Sequence, residues 1–206
     1  MAEASRTAPS PTNSVCVIGP QYCLPYPIEV GIVKKVMTIS DGNFVVMDAN
    51  GNILFKVRGA LLTFVHERRV MVDATGNPIV TLRSKFRTVH DRWQVFRGES
   101  TEQNNMLFSA KTSSILYLKT KLHVFLVGNV TEDVCDFRVE GSWFDRSCVV
   151  YLGETSTVVA QMKKKHTVGS VLLGKDNYTV TVHPYVDYAF MVAIILILDE
   201  INHSGQ

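Results

Sequence analysis

The sequence predicts a mainly-β fold, in which one large β domain encloses a single long helix near the C-terminus. Three observations predict it. Short segments rich in β-branched residues alternate with a period of two and are broken by Gly-containing turns. One strand–acidic turn–strand unit recurs along the chain. Near the end, residues 188–198 carry no charged side chain. The 206 residues suit one barrel or sandwich, and an apolar content of 46% fills a sizeable core and excludes a disordered chain.

The first 14 residues are rich in Ser, Thr, Ala and Pro and are expected to form a disordered tail, with a single domain over residues 15–206. The tail has no apolar h-region and no Gly after the first Met, which argues against a secretory signal and N-myristoylation. Without secretion the N-x-S/T sequons at Asn129, Asn177 and Asn202 carry no meaning. The expected compartment is the cytoplasm. The four cysteines (Cys16, Cys23, Cys135, Cys148) form no C-x-x-C pair, so they lack zinc-finger spacing and read as reduced thiols, most of them filling the core.

Residues 28–39, 44–48 and 53–58 read as the first strands, separated by Asp41-Gly42-Asn43 and Ala49-Asn50-Gly51-Asn52. Phe55 and Val57 face one way, Lys56 and Arg58 the other. Asn50-Gly51 predicts a hairpin with a type I′ turn. The stretch Asp48-Ala-Asn-Gly-Asn recurs 25 residues on as Asp73-Ala-Thr-Gly-Asn, and a weaker third copy runs over 153–162. Further strands are predicted at 92–97, 106–110, 121–127, 136–140, 148–152, 157–165 and 178–182.

His183-Pro184 closes the last of these, and Pro184 is placed to begin a helix over 184–202 with Asp187 in its first turn. The eleven apolar residues 188–198 would span only ~17 Å, against a hydrocarbon core of ~30 Å. A helix apolar on every face must be surrounded, and a curled sheet would surround it. Shallow membrane insertion is the competing reading.

Several motifs are weaker than they look. Gly169 to Asp176 nearly matches a phosphate loop, but Asp176 replaces the magnesium-binding hydroxyl and the interior reads as strand. Asp48-x-Asn50-x-Asn52 resembles a calcium loop without its sixth-position Gly (Ile53) or closing Glu, and a β-turn explains it better. The six histidines show no ligand spacing, and Ser142 lacks the second Gly of a nucleophile elbow, so a non-enzymatic protein without cofactor is expected.

A net charge of +2 is too small to predict direct nucleic-acid binding. The basic clusters Lys163-Lys164-Lys165 and Arg68-Arg69 have two readings: a solvated strand edge guarded by lysines, or a surface for an anionic ligand such as a phospholipid head group.

The segments Tyr22-Cys-Leu-Pro-Tyr-Pro-Ile28, Asp41-Gly-Asn-Phe44, Val65-His-Glu-Arg-Arg-Val-Met-Val-Asp-Ala-Thr-Gly-Asn-Pro-Ile-Val-Thr-Leu-Arg83 and Trp93-Gln-Val-Phe-Arg-Gly98 together resemble the plant LURP-one-related proteins. The likeness covers roughly residues 15–202. It implies a tubby-like fold, a closed barrel of about twelve strands threaded by the C-terminal helix. It also implies kinship with phospholipid scramblases, a link to plant defence, and phosphoinositide or anionic-lipid binding. Attachment to the plasma membrane or shuttling to the nucleus would follow. The cysteine-rich stretch and terminal membrane helix of scramblases have no counterpart here, which weighs against lipid translocation. A regulatory module, monomeric and without a transmembrane span, is therefore expected; a protein-interaction domain without a lipid ligand is the alternative.

Overall fold

A computed structural model describes residues 14–34, 44–59, 68–85, 92–116, 119–142, 145, 147–164 and 177–203. The β-branched segments form strands β1 (Ile28–Lys34), β2 (Phe44–Met47), β3 (Ile53–Gly59), β4 (Arg68–Asp73), β5 (Pro78–Lys85) and β6 (Arg92–Arg97). They continue as β7 (Met106–Leu116), β8 (Lys119–Leu126), β9 (Phe137–Ser142), β10 (Ser147–Leu152), β11 (Val158–Lys164) and β12 (Asn177–Val182). Each pairs antiparallel with its chain neighbours, and β1 pairs with β12 through Ile28↔Val182, Val30↔Val180 and Ile32↔Tyr178. That last pairing closes a twelve-stranded barrel and leaves no free edge. The closed barrel overturns the edge-lysine reading of Lys163, because β11 pairs on both sides, with β10 and β12.

Closure sends alternate side chains inward, and Val30, Leu82, Val95, Leu122, Val139 and Val180 are fully buried. They surround α1 (Tyr188–His203), on which residues 189–198 are at most 2% exposed. Each aliphatic side chain so buried contributes about 1.5–3 kcal/mol. Phe190 anchors the first turn edge-to-face against Phe108 (4.8 Å between ring centroids) and Phe137 (5.1 Å). The 16 residues of α1 would reach ~24 Å. No helix among the described residues is long and apolar enough to cross a membrane.

The helix begins four residues later than its sequence suggests. Pro184 and Tyr185 (φ 61°) lie in a turn, and Val186 and Asp187 bridge to Val15 and Cys23. Asp187 therefore precedes the first turn and acts as the N-cap: its Oδ1 accepts from the Phe190 N–H at 3.0 Å. Its Oδ2 accepts from the N–H groups of Val17 (3.2 Å), Ile18 (2.7 Å) and Gly19 (3.1 Å). One carboxylate thus fastens the N-terminal segment to the helix start. At the other end Asp199 and Glu200 stand where the helix dipole disfavours negative charge. The barrel wall answers with Lys34 (3.4 Å from Asp199) and Arg69, which forks onto Glu200 at 2.8 and 3.1 Å.

The repeated acidic turns match each other closely. Asp48 Oδ1 accepts from the Asn50 and Asn52 backbones, and Asp73 Oδ1 from the Thr75 and Asn77 backbones. In both, the Asn amide donates to the second carboxylate oxygen, and the Gly N–H donates to the Asp carbonyl at 3.1 Å. Only Gly51 (φ 85°) and Gly76 (φ 100°) take positive φ in these turns, so both are type I turns closed by a Gly bulge, and the type I′ turn predicted at Asn50-Gly51 is not formed. The Asp side chain stabilises the wider loop by satisfying its N–H groups. The third copy is also a hairpin, but its turn lacks an Asp; Thr155 Oγ1 donates to the Leu152 carbonyl at 2.6 Å instead. The cysteines divide: Cys135 and Cys148 are buried, whereas Cys16 is exposed and Cys23 half-buried in the N-terminal segment, so only two fill the interior. Asp41-Gly42-Asn43 and the 169–176 motif lie outside the described residues.

Candidate anion-binding surface

The alternation that buries one face of each strand displays the other on the outer wall. The register there brings single basic residues from separate strands into one row. Lys85 lies opposite Arg92, Arg92 opposite Lys111, Lys111 opposite His123, and His123 opposite Arg138. In the next row Arg68 lies opposite Arg83. Like charges directly opposite one another destabilise a sheet pair. Two such pairs, Arg68↔Arg83 and Lys85↔Arg92, stand side by side on β4–β6.

The row is neutralised unevenly. On β6–β8, Glu132 pairs with both Arg92 and Lys111. Glu140 holds Lys121 (3.2 Å) and Arg138 (3.0 Å). Lys111 and Arg138 also lie over the rings of Phe125 and Tyr151. On β4–β5 the balance changes. Arg83 stacks on Phe96 and donates to Gln94 Oε1 at 3.0 Å. Lys85 is exposed, and among the described residues neither Arg83 nor Lys85 has a carboxylate partner. Arg68 donates to the Glu99 carbonyl at 2.7 Å, with the Glu99 carboxylate 4.0 Å away. The positive centre of the wall is therefore Arg68, Arg83 and Lys85.

The structure does not bring the sequence-predicted cations together. Arg68 belongs to this surface. Arg69, its neighbour on β4, faces inward and is bound to Glu200, so it is committed to the helix. Lys163 is exposed and opposite Thr179, on a strand five places from β4 around the barrel. Lys164 pairs with Tyr178 at the same strand end; Lys165 lies outside the described residues. Ser142 Oγ accepts from the Asp145 N–H at 3.2 Å in the β9–β10 turn, beside an open groove of about 800 Å³. Arg92, Lys111 and Arg138 were missed because each stands alone in the sequence, and Arg83 and Lys85 because an intervening Ser84 breaks the run, although a period of two puts both on one face of β5. Their only signal is one cation at an outward position in successive strands, which becomes a patch once register is known.

The fold is a closed antiparallel barrel around an apolar helix, with its charge on the outer wall. Residues 29–199 match the model of the LURP-one-related family, and the chain belongs to that family. It is 56% identical over 199 residues to the Arabidopsis thaliana protein LURP-one-related 15, covering 97% of this chain and 91% of that one. It is 52% identical to LURP-one-related 10 of the same plant, covering 93% and 99%, and 49% identical to LURP1, covering 92% and 91%. A crystal structure of an Arabidopsis thaliana protein superposes with a TM-score of 0.71 at 48% identity, covering 90% of this chain and 98% of that one.

Proposed function

We propose that this protein is a non-enzymatic, regulatory binding module whose outer wall takes a phosphorylated anionic ligand, in the first place a phosphoinositide head group at a membrane surface. The observation that carries this reading is the pairing Arg68↔Arg83 beside Lys85: like charges face each other across adjacent strands, Arg83 and Lys85 have no carboxylate partner among the described residues, and a bound phosphate would relieve the repulsion. A membrane role through this wall makes it peripheral, since the apolar helix is enclosed by the barrel. The tubby-like kinship and the plant-defence setting implied by the resemblance belong to this reading; scramblase-like translocation does not.

The test is sedimentation with liposomes, with and without phosphoinositide, at two salt concentrations. The wild type should pellet with phosphoinositide and be released by salt. Arg83→Ala with Lys85→Ala should lower binding about tenfold or more, at roughly 1 kcal/mol per lost cation near the surface. Lys163→Ala should change it little. A wild-type protein that stays in the supernatant on every lipid ends the lipid reading.

One observation favours protein docking without a lipid ligand. Val127, Val130 and Val134, between β8 and β9, are 53%, 87% and 59% exposed. That reading would be preferred if no lipid binds and Val130→Asp disrupts a purified complex.

A further inference from the structure

We propose that His123, Cys135 and Glu154 form a site for a borderline-soft divalent cation of the zinc class. One ligand atom from each lies within 4.8 Å of the others. Zinc bonds of about 2.0–2.3 Å to nitrogen, sulfur and oxygen place neighbouring ligands roughly 3–4 Å apart, so a contraction of about 1 Å closes the set. Imidazole, thiolate and carboxylate together are the donors such an ion prefers over calcium or magnesium.

Three elements hold these side chains. His123 faces outward on β8, opposite Arg138 of β9. Cys135 is buried just ahead of β9. Glu154 sits in the β10–β11 turn after Gly153 (φ 52°). The Gly153 N–H donates to the Asp136 carbonyl at 2.7 Å, and Arg138 donates to the Gly153 carbonyl at 2.8 Å, which clamps that turn beside the thiol.

The chemistry already resembles a loaded site with a proton in place of the ion. Cys135 Sγ donates to Glu154 Oε1 at 3.2 Å. Burial, reinforced by that carboxylate, pushes the thiol up to about 11. Binding would displace the proton: the S–H bond breaks, a sulfur–metal bond forms, and one H⁺ goes to solvent. The surrounding cations do not swamp the site, because Lys111 is held by Glu132, and Lys121 and Arg138 by Glu140. Glu154 is exposed, which leaves room for water as a fourth ligand. The other such group, Cys16, Cys23 and Asp187, is less suited: Asp187 Oδ2 already accepts three N–H groups.

The experiment uses the full chain carrying Cys16→Ser and Cys23→Ser, titrated with Co²⁺. One equivalent should produce a thiolate-to-cobalt absorption band in the near ultraviolet, bleached by Zn²⁺, with release of one proton. Cys135→Ser should abolish the band. His123→Ala and Glu154→Gln should each weaken Co²⁺ binding at least tenfold. Both lie nearer the surface, so they keep the test usable if the Cys135 variant does not fold. No band at equimolar Co²⁺, or a band that survives Cys135→Ser, overturns the proposal. No lipid takes part, so the result is independent of the anionic-ligand reading.

Discussion

Single residues show how one side chain can replace many. Asp187 is fully buried and serves four backbone N–H groups, while burial outweighs those bonds and holds its carboxyl above the usual range. Asp187→Ala leaves those donors unsatisfied and should cost about 3 kcal/mol or more. Asp187→Asn keeps one oxygen and avoids burying charge, so its thermal midpoint should fall between alanine variant and wild type. Equal midpoints for the two variants would show that the caps contribute nothing. Asp73 behaves oppositely: bonds from Thr75 and Asn77 depress its carboxyl well below the ordinary 3.8. A depressed acid contributes stability that is fully present above that value and lost as pH falls below it. Asp73→Asn should therefore lower stability at neutral pH and flatten the loss of stability below about pH 4. Both effects can be read from urea unfolding at several pH values.

At the scale of elements, glycine positions test how tightly the hairpins are drawn. Gly141 of β9 has φ 151°, and a Cβ there would lie 2.0 Å from the Ser147 carbonyl oxygen and 2.7 Å from Cys148 Cα. Gly141→Ala must part β9 from β10 and is expected to abolish folding or cost several kcal/mol. Gly51 has φ 85° but open space around it. Gly51→Ala meets only the left-handed penalty of about 1–2 kcal/mol. Denaturant melts of the two variants, taken together, separate crowding from backbone strain. The same scale explains the turn correction. Asn-Gly by itself favours type I′, but an Asp two residues before the Asn can satisfy the next N–H groups, and that local competition selects the wider loop.

For the whole molecule, the helix is the barrel's core and its two ends are tied to the wall. Ile195 is fully buried, so Ile195→Asp places an unpaired charge among apolar side chains and should prevent soluble folding. A soluble variant with unchanged thermal unfolding would contradict the enclosed helix. Arg69→Met removes the two-pronged fork on Glu200, a mostly buried carboxylate in the last turn of the helix; a loss of about 2–3 kcal/mol is expected by chemical denaturation. Arg69→Met with Glu200→Gln should recover part of it.

Much of this protein is legible along the chain. Period-2 alternation placed Phe55 and Val57 inside and Lys56 and Arg58 outside, and the 92–97 strand was read with its observed bounds, because strand identity depends on neighbouring residues. The length and all-round apolarity of 188–198 favoured a protein surround over shallow membrane insertion, because eleven apolar residues are too short to span a bilayer, and the barrel encloses them. Tertiary structure decided what depends on residues far apart. The start of the helix at Tyr188 follows from residues 186–187 pairing with Val15 and Cys23, and the loss of Arg69 as a ligand group follows from Glu200, 131 residues away. The basic row and the His123–Cys135–Glu154 cluster likewise exist only through register and closure, since a sheet makes neighbours of residues that the sequence separates.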